Sequence, residues 1–402
     1  MILRAFSKIK KYGIRKSLKI MYEYSLYNYI SEFMGLFLKK RKLLNIILIE
    51  SHNDFDCNGG AFFDYLIKNN VNLNYKIVWL LKHKIDRKLP TNVTYARLYC
   101  PSIKRAYYSW LAKYLLADCV ITPKHRENQI SIYLTHGAIG LKSVHGKENV
   151  HKSVDYILAG SKNYDSVYRY ELSVYEHQKL LHIGFPCMDI LFKDNRDELK
   201  KITDYSFSKV VLWMPTFRKG GRQSRNDSTS DLPMGIPIIY DVEEYRKLNK
   251  ELHHSNILMI IKIHPMQDPS TYSKLVNLSN IIVLDGNMTK KLGIDNYRLM
   301  SQADALISDY SSVCYQFLIL NRPIGFVLSD VNDLKAGLAV DNPEFFLAGP
   351  QIYNIDELKS FVYNVRDNID TFEDKRIKLL EWLYDYRDGN ACERLSSYLN
   401  LI

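Results

Sequence analysis

The sequence predicts an α/β protein built from two domains with mainly parallel sheets. Short apolar runs of strand length alternate with longer stretches of helical periodicity, which is the order of β-α-β units. The chain has 402 residues, more than twice the ~150 residues of a typical domain. With 47% hydrophobic and 25% charged residues, its composition is that of a globular protein. No apolar run reaches the ~18 residues of a membrane span.

Ten short apolar runs are predicted to be strands, five in each half of the chain. In the first half they are Leu44–Glu50, Tyr75–Leu81, Cys119–Thr122, Ser131–Leu134 and Tyr156–Ala159. In the second half they are Val210–Met214, Ile257–Ile263, Ile281–Leu284, Ala305–Ser308 and Pro323–Val327. The stretch from Phe372 to Leu399 is predicted to be helical, with a break near Asp388 and Gly389.

A polar stretch between the two series of strands marks the predicted domain boundary. The predicted segments are a basic amphipathic helical segment (1–42), a first Rossmann-like domain (43–192), a linker (193–208), a second Rossmann-like domain (209–370) and C-terminal helices (371–402).

Basic charge is concentrated at the amino terminus. Residues 1–42 contain eleven Lys and Arg against two acidic residues, which leaves 44 basic and 42 acidic residues in the remainder. If this stretch is helical, one side is basic and the opposite side is apolar. The basic side consists of Arg4, Lys8, Lys11, Arg15 and Lys19. The pattern predicts docking on an anionic membrane surface. The alternative is a helix that packs on its own domain with a solvated basic face.

Composition also excludes other classes of protein. Lys and Arg scattered through the first sixteen residues leave no apolar core for a signal peptide, so the product is predicted to stay in the cytoplasm. The six cysteines lie far apart without a C-x-x-C pair, which indicates reduced thiols rather than a zinc site or a disulfide framework. Basic and aromatic residues are not interleaved along the chain, so no nucleic-acid partner is predicted.

Two histidines each come directly after an apolar strand. His136 is followed by Gly137, and His264 is followed by Pro265. Imidazole titrates near neutrality, so a histidine at a strand end can take a proton from an alcohol without a metal ion. The alternative for each residue is a histidine that only satisfies a loop carbonyl.

Hydroxyl and charged side chains follow two further strands. They are Thr216 and Arg218 after the strand near 214, and Asp309, Ser311 and Ser312 after the strand at 305–308. A guanidinium and hydroxyl groups next to free main-chain N–H groups suit an anionic phosphate. Ordinary helix capping is the alternative for the Asp and Ser residues. Because ligands of open α/β sheets bind at the carboxyl ends of strands, these motifs together predict a cleft that binds a nucleotide diphosphate.

The order of these motifs resembles the CDP-glycerol glycerophosphotransferase family, whose members prime or polymerise teichoic acids and build related capsule polymers. The matching motifs are Glu50-Ser51 with Asn58 and Tyr65, His136-Gly137 with Leu141-Lys142, Gly184-Phe185-Pro186 with Asp189-Ile190-Leu191, Pro215-Thr216-Phe217-Arg218, His264-Pro265, Asp304 through Ser312, Pro323, Gly349-Pro350, and Asp388-Gly389 with Glu393-Arg394. They cover roughly residues 44–398 in the order of the family.

The resemblance implies a GT-B-type fold, with the active site in the cleft between the domains and a C-terminal helix that returns to the first domain. It also implies the reaction. A hydroxyl of an undecaprenyl-linked glycan acceptor attacks the polyol-bearing phosphorus of a CDP-polyol, CDP-glycerol or CDP-ribitol, and CMP leaves. The enzyme would work at the cytoplasmic face of the plasma membrane as a peripheral protein.

The resemblance also implies roles for individual residues. His136 matches the base and His264 a second catalytic residue that holds the donor's pyrophosphate. The residues expected to bind the donor are Gly137, Thr216, Arg218, Asp309, Ser311 and Ser312. Neither a metal ion nor a cofactor is expected.

Several positions depart from the family pattern. The usual Trp is Thr135, the usual Thr-Pro is Ala138-Ile139-Gly140, the usual Arg-Asn is Cys187-Met188, and the usual Asp after the Ser-Ser motif is Gln316. These departures favour a capsule or surface-glycan branch over the main teichoic-acid polymerases.

Two other functions remain open on the sequence alone. One is a glycosyltransferase on the same architecture that uses a nucleotide sugar, because a fold does not fix a function. The other is a non-catalytic, membrane-associated partner of a glycan assembly complex.

Overall fold

Thirteen strands form two sheets in the part of the chain that the computed structural model describes, residues 26–136, 140–220, 226, 228–335 and 337–402. The first sheet consists of β1 (Leu44–Glu50), β2 (Lys76–Leu81), β3 (Val93–Arg97), β4 (Ala112–Ala117), β5 (Ile130–Tyr133), β6 (Tyr156–Leu158) and β7 (Lys179–Leu181). The second consists of β8 (Lys209–Trp213), β9 (Ile257–Lys262), β10 (Ile281–Leu284), β11 (Ala305–Ser308), β12 (Ile324–Val327) and β13 (Gln351–Ile352).

Every neighbouring pair of these strands is parallel. The strand order is β3-β2-β1-β4-β5-β6-β7 in the first sheet and β10-β9-β8-β11-β12-β13 in the second. In both sheets the order reverses beside the first strand, which is where open parallel sheets bind ligands. The predicted class, an α/β protein with two mainly parallel sheets, is confirmed.

Helices connect the strands and cover the sheets. In the first half they are α1 (Leu26–Leu38), α2 (Cys57–Lys68), α3 (Ile103–Leu111), α4 (Asp165–Glu171) and α5 (Asp197–Lys200). In the second half they are α6 (Val242–His254), α7 (Gly286–Leu292), α8 (Asn296–Gln302), α9 (Val313–Phe317), α10 (Pro343–Phe346), α11 (Ile355–Arg366), α12 (Glu373–Leu383) and α13 (Ala391–Tyr398).

Burial explains why the strands are nearly continuous apolar runs. All six residues of β9 are buried, as are the last five residues of β1. Parallel strands carry helices on both faces, so neither face alternates with polar residues. Polar side chains are therefore concentrated where the strands end.

The last two helices contact the first half of the chain. The carboxylate of Asp189 accepts hydrogen bonds from the main-chain N–H groups of Ala391 (2.9 Å) and Cys392 (2.8 Å) at the start of α13. The hydroxyl of Tyr114 on β4 donates to the carbonyl of Leu399 at 2.6 Å. The chain thus ends against the first sheet.

One predicted strand is wrong. Cys119–Thr122 follows the strand rather than forming it, and the strand itself is β4. Its sequence, Ala-Lys-Tyr-Leu-Leu-Ala, is rich in helix-forming residues and continues directly from α3. Pairing between β1 and β5 overrides this local preference.

The basic stripe from Arg4 to Lys19 lies outside the described residues. The described part of that segment contains α1, which packs on α3. Gly35 allows this contact, because a Cβ there would lie 2.3 Å from the ring of Trp110. No helix among the described residues is long and apolar enough to cross a membrane.

Candidate active site

Strand ends from both sheets line one cleft with a cavity volume of about 240 Å³. From the first half the lining includes Thr135, His136, Gly140, Lys142 and Glu148, and from the second it includes Thr216, His264, Tyr310, Ser311 and Ser312. The structure therefore brings the two predicted histidines and the two serines together at one site.

Asn58 fixes the turn that carries His136. Its side-chain amide donates hydrogen bonds to the carbonyls of Leu134 (2.9 Å) and Thr135 (3.0 Å), and its amide oxygen accepts from the N–H of Cys187 at 3.0 Å. Thr135 has a φ of 60°, a conformation that is unusual for a β-branched residue. The buried amide holds this strained turn and directs His136 into the cleft.

His136 is a neutral imidazole near neutral pH. Burial lowers its pKa to about 4, and the nearby ring of His52 contributes to the shift. The two rings meet edge to face with centroids 5.1 Å apart. Its Nδ1 is buried and has no hydrogen-bond partner among the described residues. A neutral ring keeps a lone pair, which a general base requires.

The hydrogen bond at Nδ1 of His264 defines its tautomer. Nδ1 accepts from the main-chain N–H of Met266 at 3.1 Å. Burial lowers the pKa of His264 to about 4, and the positive charge of Lys142 adds to that effect. A neutral ring whose Nδ1 accepts carries its proton on Nε2. His264 can therefore donate one hydrogen bond, from Nε2, to an oxygen in the cleft.

Two lysines make the surroundings of His264 positive. Lys142 lines the cleft from the first half of the chain. Lys262 is the last residue of β9, and burial lowers its pKa to about 8. Both lower the pKa of His264, which indicates that their charges act on this part of the cleft. A doubly charged diphosphate would find a favourable potential there.

Arg218 is a buried ion-pair partner. Its guanidinium is 2% exposed and donates to Asp330 through Nε and Nη2, both at 2.8 Å, and to Asp309 through Nη1 at 2.6 Å. Burial alone would lower the pKa of Arg218, but these carboxylates outweigh it and raise the pKa. The sequence predicts a direct contact between this guanidinium and the donor. In the structure, its N–H groups donate hydrogen bonds to the carboxylates of Asp309 and Asp330.

Asp309 connects this ion pair to Thr216. Its carboxylate accepts hydrogen bonds from the hydroxyl of Thr216 and, at 2.9 Å, from the N–H of the same residue. Thr216 lines the cleft, whereas Asp309 is 1% exposed. Asp309 and Arg218 thus fix the loop after β8 from behind the cleft.

The two halves of the chain touch at the mouth of the cleft. The side chain of Gln316 donates to the carbonyl of His136 at 3.2 Å. A Cβ at Gly140 would lie 2.7 Å from the main-chain nitrogen of Ser312, so only glycine allows this approach. An ionised Asp in place of Gln316 would have no donor for that carbonyl.

Of the predicted site residues, Gly137 lies outside the described residues. Sequence reasoning missed the contributions of Lys262 and Asp330. Lys262 is the last residue of an apolar strand. Ligands of open parallel sheets bind at the carboxyl ends of the strands, so this position could have indicated its contribution. Asp330 follows β12 and carries no local motif, so only the fold reveals its pairing with Arg218.

Two parallel α/β sheets whose strand ends line one cleft define the fold class of this chain. The fold is similar to a variant of the wall teichoic acid polymerase TagF soaked with CDPG, with a TM-score of 0.72 and 20% identity over 99% of this chain and 95% of that one. It is also similar to the UDP-GlcNAc 2-epimerase of Neisseria meningitidis, with a TM-score of 0.50 and 10% identity over 89% of this chain and 100% of that one.

Comparison of the sequence identifies the family, which the fold alone does not. The model of the CDP-glycerol:poly(glycerophosphate) glycerophosphotransferase family matches residues 31–401, and the chain belongs to this family. The teichoic acid glycerol-phosphate primase of Bacillus subtilis is 25% identical over 326 residues, which is 75% of this chain and 77% of that protein. The predicted family and the predicted class of enzyme, a glycerophosphotransferase-like transferase, are confirmed.

Proposed function

We propose that this enzyme transfers a polyol phosphate, in the first place glycerol phosphate, from a CDP-polyol to a hydroxyl of a lipid-linked glycan or teichoic-acid-like acceptor, with release of CMP. The observation that carries the proposal is that His136 and His264, from different sheets, line one cleft together with Thr216, Ser311 and Ser312. The TagF complex with CDPG and the primase relative support the choice of donor.

The base of the proposed reaction is His136. The acceptor oxygen forms a bond to the phosphorus that carries the polyol, and the acceptor proton passes to a ring nitrogen of His136. The bond between that phosphorus and the oxygen of CMP breaks, and the electron pair leaves with CMP. A neutral imidazole suits this role because it accepts the proton without first losing one.

The donor's diphosphate is proposed to lie on the second half of the cleft. The Nε2–H of His264 and the hydroxyls of Ser311 and Ser312 donate hydrogen bonds to its oxygens, and Lys142 adds positive charge. These donors stabilise the charge that builds on the leaving CMP, as oriented dipoles and cations do in phosphoryl transfer. Thr216, whose hydroxyl donates to Asp309, lines the same part of the cleft. Asp309 and Arg218 hold Thr216 in position.

Membrane docking is proposed to bring this cleft to a lipid-linked acceptor. One face of α1 is apolar and exposed, with Phe33 and Phe37 each 61% and Leu36 65% exposed. The opposite face packs on the protein through Tyr27 and Ser31. Directly after α1, residues 39–42 are four exposed bases, Lys-Lys-Arg-Lys. An apolar face next to a basic cluster is complementary to an anionic membrane surface.

A donor panel tests the proposed reaction. Purified full-length protein is incubated with CDP-glycerol, CDP-ribitol, UDP-N-acetylglucosamine or GDP-mannose and a lipid-linked disaccharide acceptor, and nucleotide products are separated by chromatography. We expect acceptor-dependent CMP from a CDP-polyol and no nucleotide product from the sugar donors.

The control is the His136→Asn variant, which should bind CDP-glycerol and release CMP about 10²–10⁴ times more slowly. Transfer from a nucleotide sugar instead of a CDP-polyol would establish the glycosyltransferase alternative and refute the proposal.

A further inference from the structure

Three side chains that are distant in the sequence meet at one edge of the first sheet. His52 follows β1, Cys119 follows β4 and His136 follows β5, and these strands are neighbours in the sheet. One ligand atom of each residue, an imidazole nitrogen or the thiol sulfur, lies within 4.8 Å of the other two. We propose that His52, Cys119 and His136 form a binding site for a divalent transition-metal ion of the zinc class.

The chemistry of the three groups selects this class of metal. A thiolate and two imidazoles are the donor types that zinc prefers, whereas magnesium and calcium prefer oxygen. Three protein ligands leave the fourth tetrahedral position open for water. The Zn–N and Zn–S bond lengths require ligand atoms about 3.3–3.6 Å apart, so a movement of about 1 Å closes the site. His52 is exposed and can make this movement.

The polypeptide around two of the ligands is already fixed. The carboxylate of Glu50 accepts a hydrogen bond from the N–H of Cys119 at 2.9 Å. The ammonium of Lys82 donates to the same carboxylate at 2.8 Å and to the carbonyl of His52 at 2.6 Å. This ion pair connects the chain after β1 to the chain after β4. Little backbone freedom is lost when the ion binds, which favours affinity.

The third ligand supplies an independent observation. Within the part of the chain that the structure describes, Nδ1 of His136 is buried without a hydrogen-bond partner, whereas buried polar groups are normally paired. A metal ion coordinated through Nδ1 would supply the partner that this buried nitrogen lacks.

A consequence follows for the reaction, and it depends on the proposed function of His136. A metal ion on the imidazole takes up the lone pair that would accept the acceptor proton. The bound ion therefore turns the transferase off, and its removal restores activity. Neither the family match nor the spacing along the sequence indicates this site, because 67 and 17 positions separate the successive ligands.

Cobalt(II) is the probe for the test, since it accepts the same ligands as zinc and absorbs visible light. Chelator-treated full-length protein is titrated with CoCl2, and the ligand-field and sulfur-to-cobalt charge-transfer bands are recorded. We expect one tetrahedral Co2+ per chain, displaced by Zn2+. The Cys119→Ser variant should lose the charge-transfer band. The His52→Gln variant should bind Co2+ at least about 100-fold more weakly. Loss of a residue that only supports a metal ligand costs about 10- to 100-fold in affinity.

Matched controls are Cys100→Ser and the exposed His177→Gln, which should leave both bands unchanged. Circular dichroism shows whether each variant is folded, and protection of Cys119 from alkylation by Zn2+ in the unaltered protein gives a second measurement. Absence of a stoichiometric cobalt complex, or a charge-transfer band that survives in Cys119→Ser, overturns the metal site.

Activity measurements test the inhibitory role of the metal ion separately from its binding. One equivalent of Zn2+ should lower CMP release from CDP-glycerol at least tenfold, and a chelator should restore it. Full turnover of the metal-loaded protein overturns the inhibitory role. If the metal binds as expected but the metal-free protein turns over no CDP-polyol, the proposed function fails and the metal site stands.

Discussion

Asn58 donates a hydrogen bond from its side-chain amide to the carbonyl of Thr135, 3.0 Å away, and thereby holds a threonine whose φ is 60°. Strained residues of this kind persist only where their surroundings fix them. Here the strained residue directly precedes His136, the proposed base. The position of the His136 ring thus depends on a buried amide on another element, α2.

Replacement of Asn58 by Ala should reduce turnover more than donor affinity. The change removes the hydrogen bonds from Asn58 to the carbonyls of Leu134 and Thr135, each worth about 0.5–1.5 kcal/mol, and frees the turn before His136. We expect kcat to fall at least tenfold while KM for CDP-glycerol changes little. Steady-state kinetics measure both constants. Asn69→Ala, which removes an exposed amide bonded to Tyr65, is the control; an equal loss there would contradict the positioning role.

Substitutions of His136 and of His264 should affect different quantities, turnover for the first and donor affinity for the second. His136→Asn removes the base and should lower kcat by about 10²–10⁴ with donor affinity nearly unchanged. His264→Asn removes the Nε2–H donor and should weaken donor binding by about 1.5–3 kcal/mol, roughly 10- to 150-fold in Kd. Calorimetric titration with CDP-glycerol provides the affinities. Similar small losses in both variants would refute the assigned roles.

Removal of Asp330 should destabilise the protein rather than act on the chemistry directly. Asp330→Ala leaves Arg218 buried with only Asp309 as a carboxylate partner, and breaking a buried ion pair from one side costs about 3–5 kcal/mol. Urea denaturation should show this loss in the free energy of unfolding. The neighbouring Asp333→Ala, whose carboxylate accepts hydrogen bonds from the exposed hydroxyls of Thr229 and Ser230, should change stability by less than about 1 kcal/mol.

Strand patterns and site residues were predictable to different degrees. β9 was predictable because a parallel strand buried on both faces is a continuous apolar run. β4 was not, because its alanines and leucines favour helix and only its pairing between β1 and β5 makes it a strand. The closeness of the histidines to a ligand site was predictable, because the residues that follow parallel strands lie at the same edge of the sheet.

The connections between elements were not predictable from the sequence. Arginine commonly binds phosphate, and the sequence predicts this role for Arg218. In the structure, Arg218 donates to the carboxylate of Asp330, which is 112 residues away in the sequence. Likewise, Cys119 lacks a cysteine neighbour in the sequence, and its closeness to His52 and His136 arises from the strand order. Such pairings depend on the crossovers of the sheet, about which local patterns carry no information.

Stability should decrease at mildly acidic pH, in part because of His125. Burial lowers its pKa to about 4, and the positive charge of Arg105 adds to the shift. Its Nε2 lies 3.2 Å from the hydroxyl of Ser109 and its ring stacks on Trp110 at 4.4 Å. Because the folded pKa lies below the ordinary value of 6.5, the unfolded chain binds more protons between these two values. Stability is present above about pH 6.5 and is lost as the pH falls toward 4.

The His125→Asn variant should therefore show a flatter dependence of unfolding free energy on pH. A single group contributes at most about 1.4 kcal/mol per pH unit, and the variant should lose that part of the slope between pH 6.5 and 4. Chemical denaturation at several pH values measures it, and the exposed His177→Asn variant is the control. An unchanged slope in His125→Asn would show that the imidazole is protonated equally in both states.

The apolar face of α1 should determine vesicle binding. Replacing Phe33 and Phe37 by Ser removes two exposed rings, each of which gains about 1.5–3 kcal/mol when fully buried. We therefore expect at least a tenfold loss of affinity for vesicles with anionic lipid, measured by co-flotation. Tyr205→Ser, which removes an aromatic ring that is 80% exposed elsewhere on the surface, should bind as the unaltered protein does. High salt should also weaken binding, since residues 39–42 act through their charge. Equal binding of all variants, or equal binding to neutral vesicles, would contradict docking through this face.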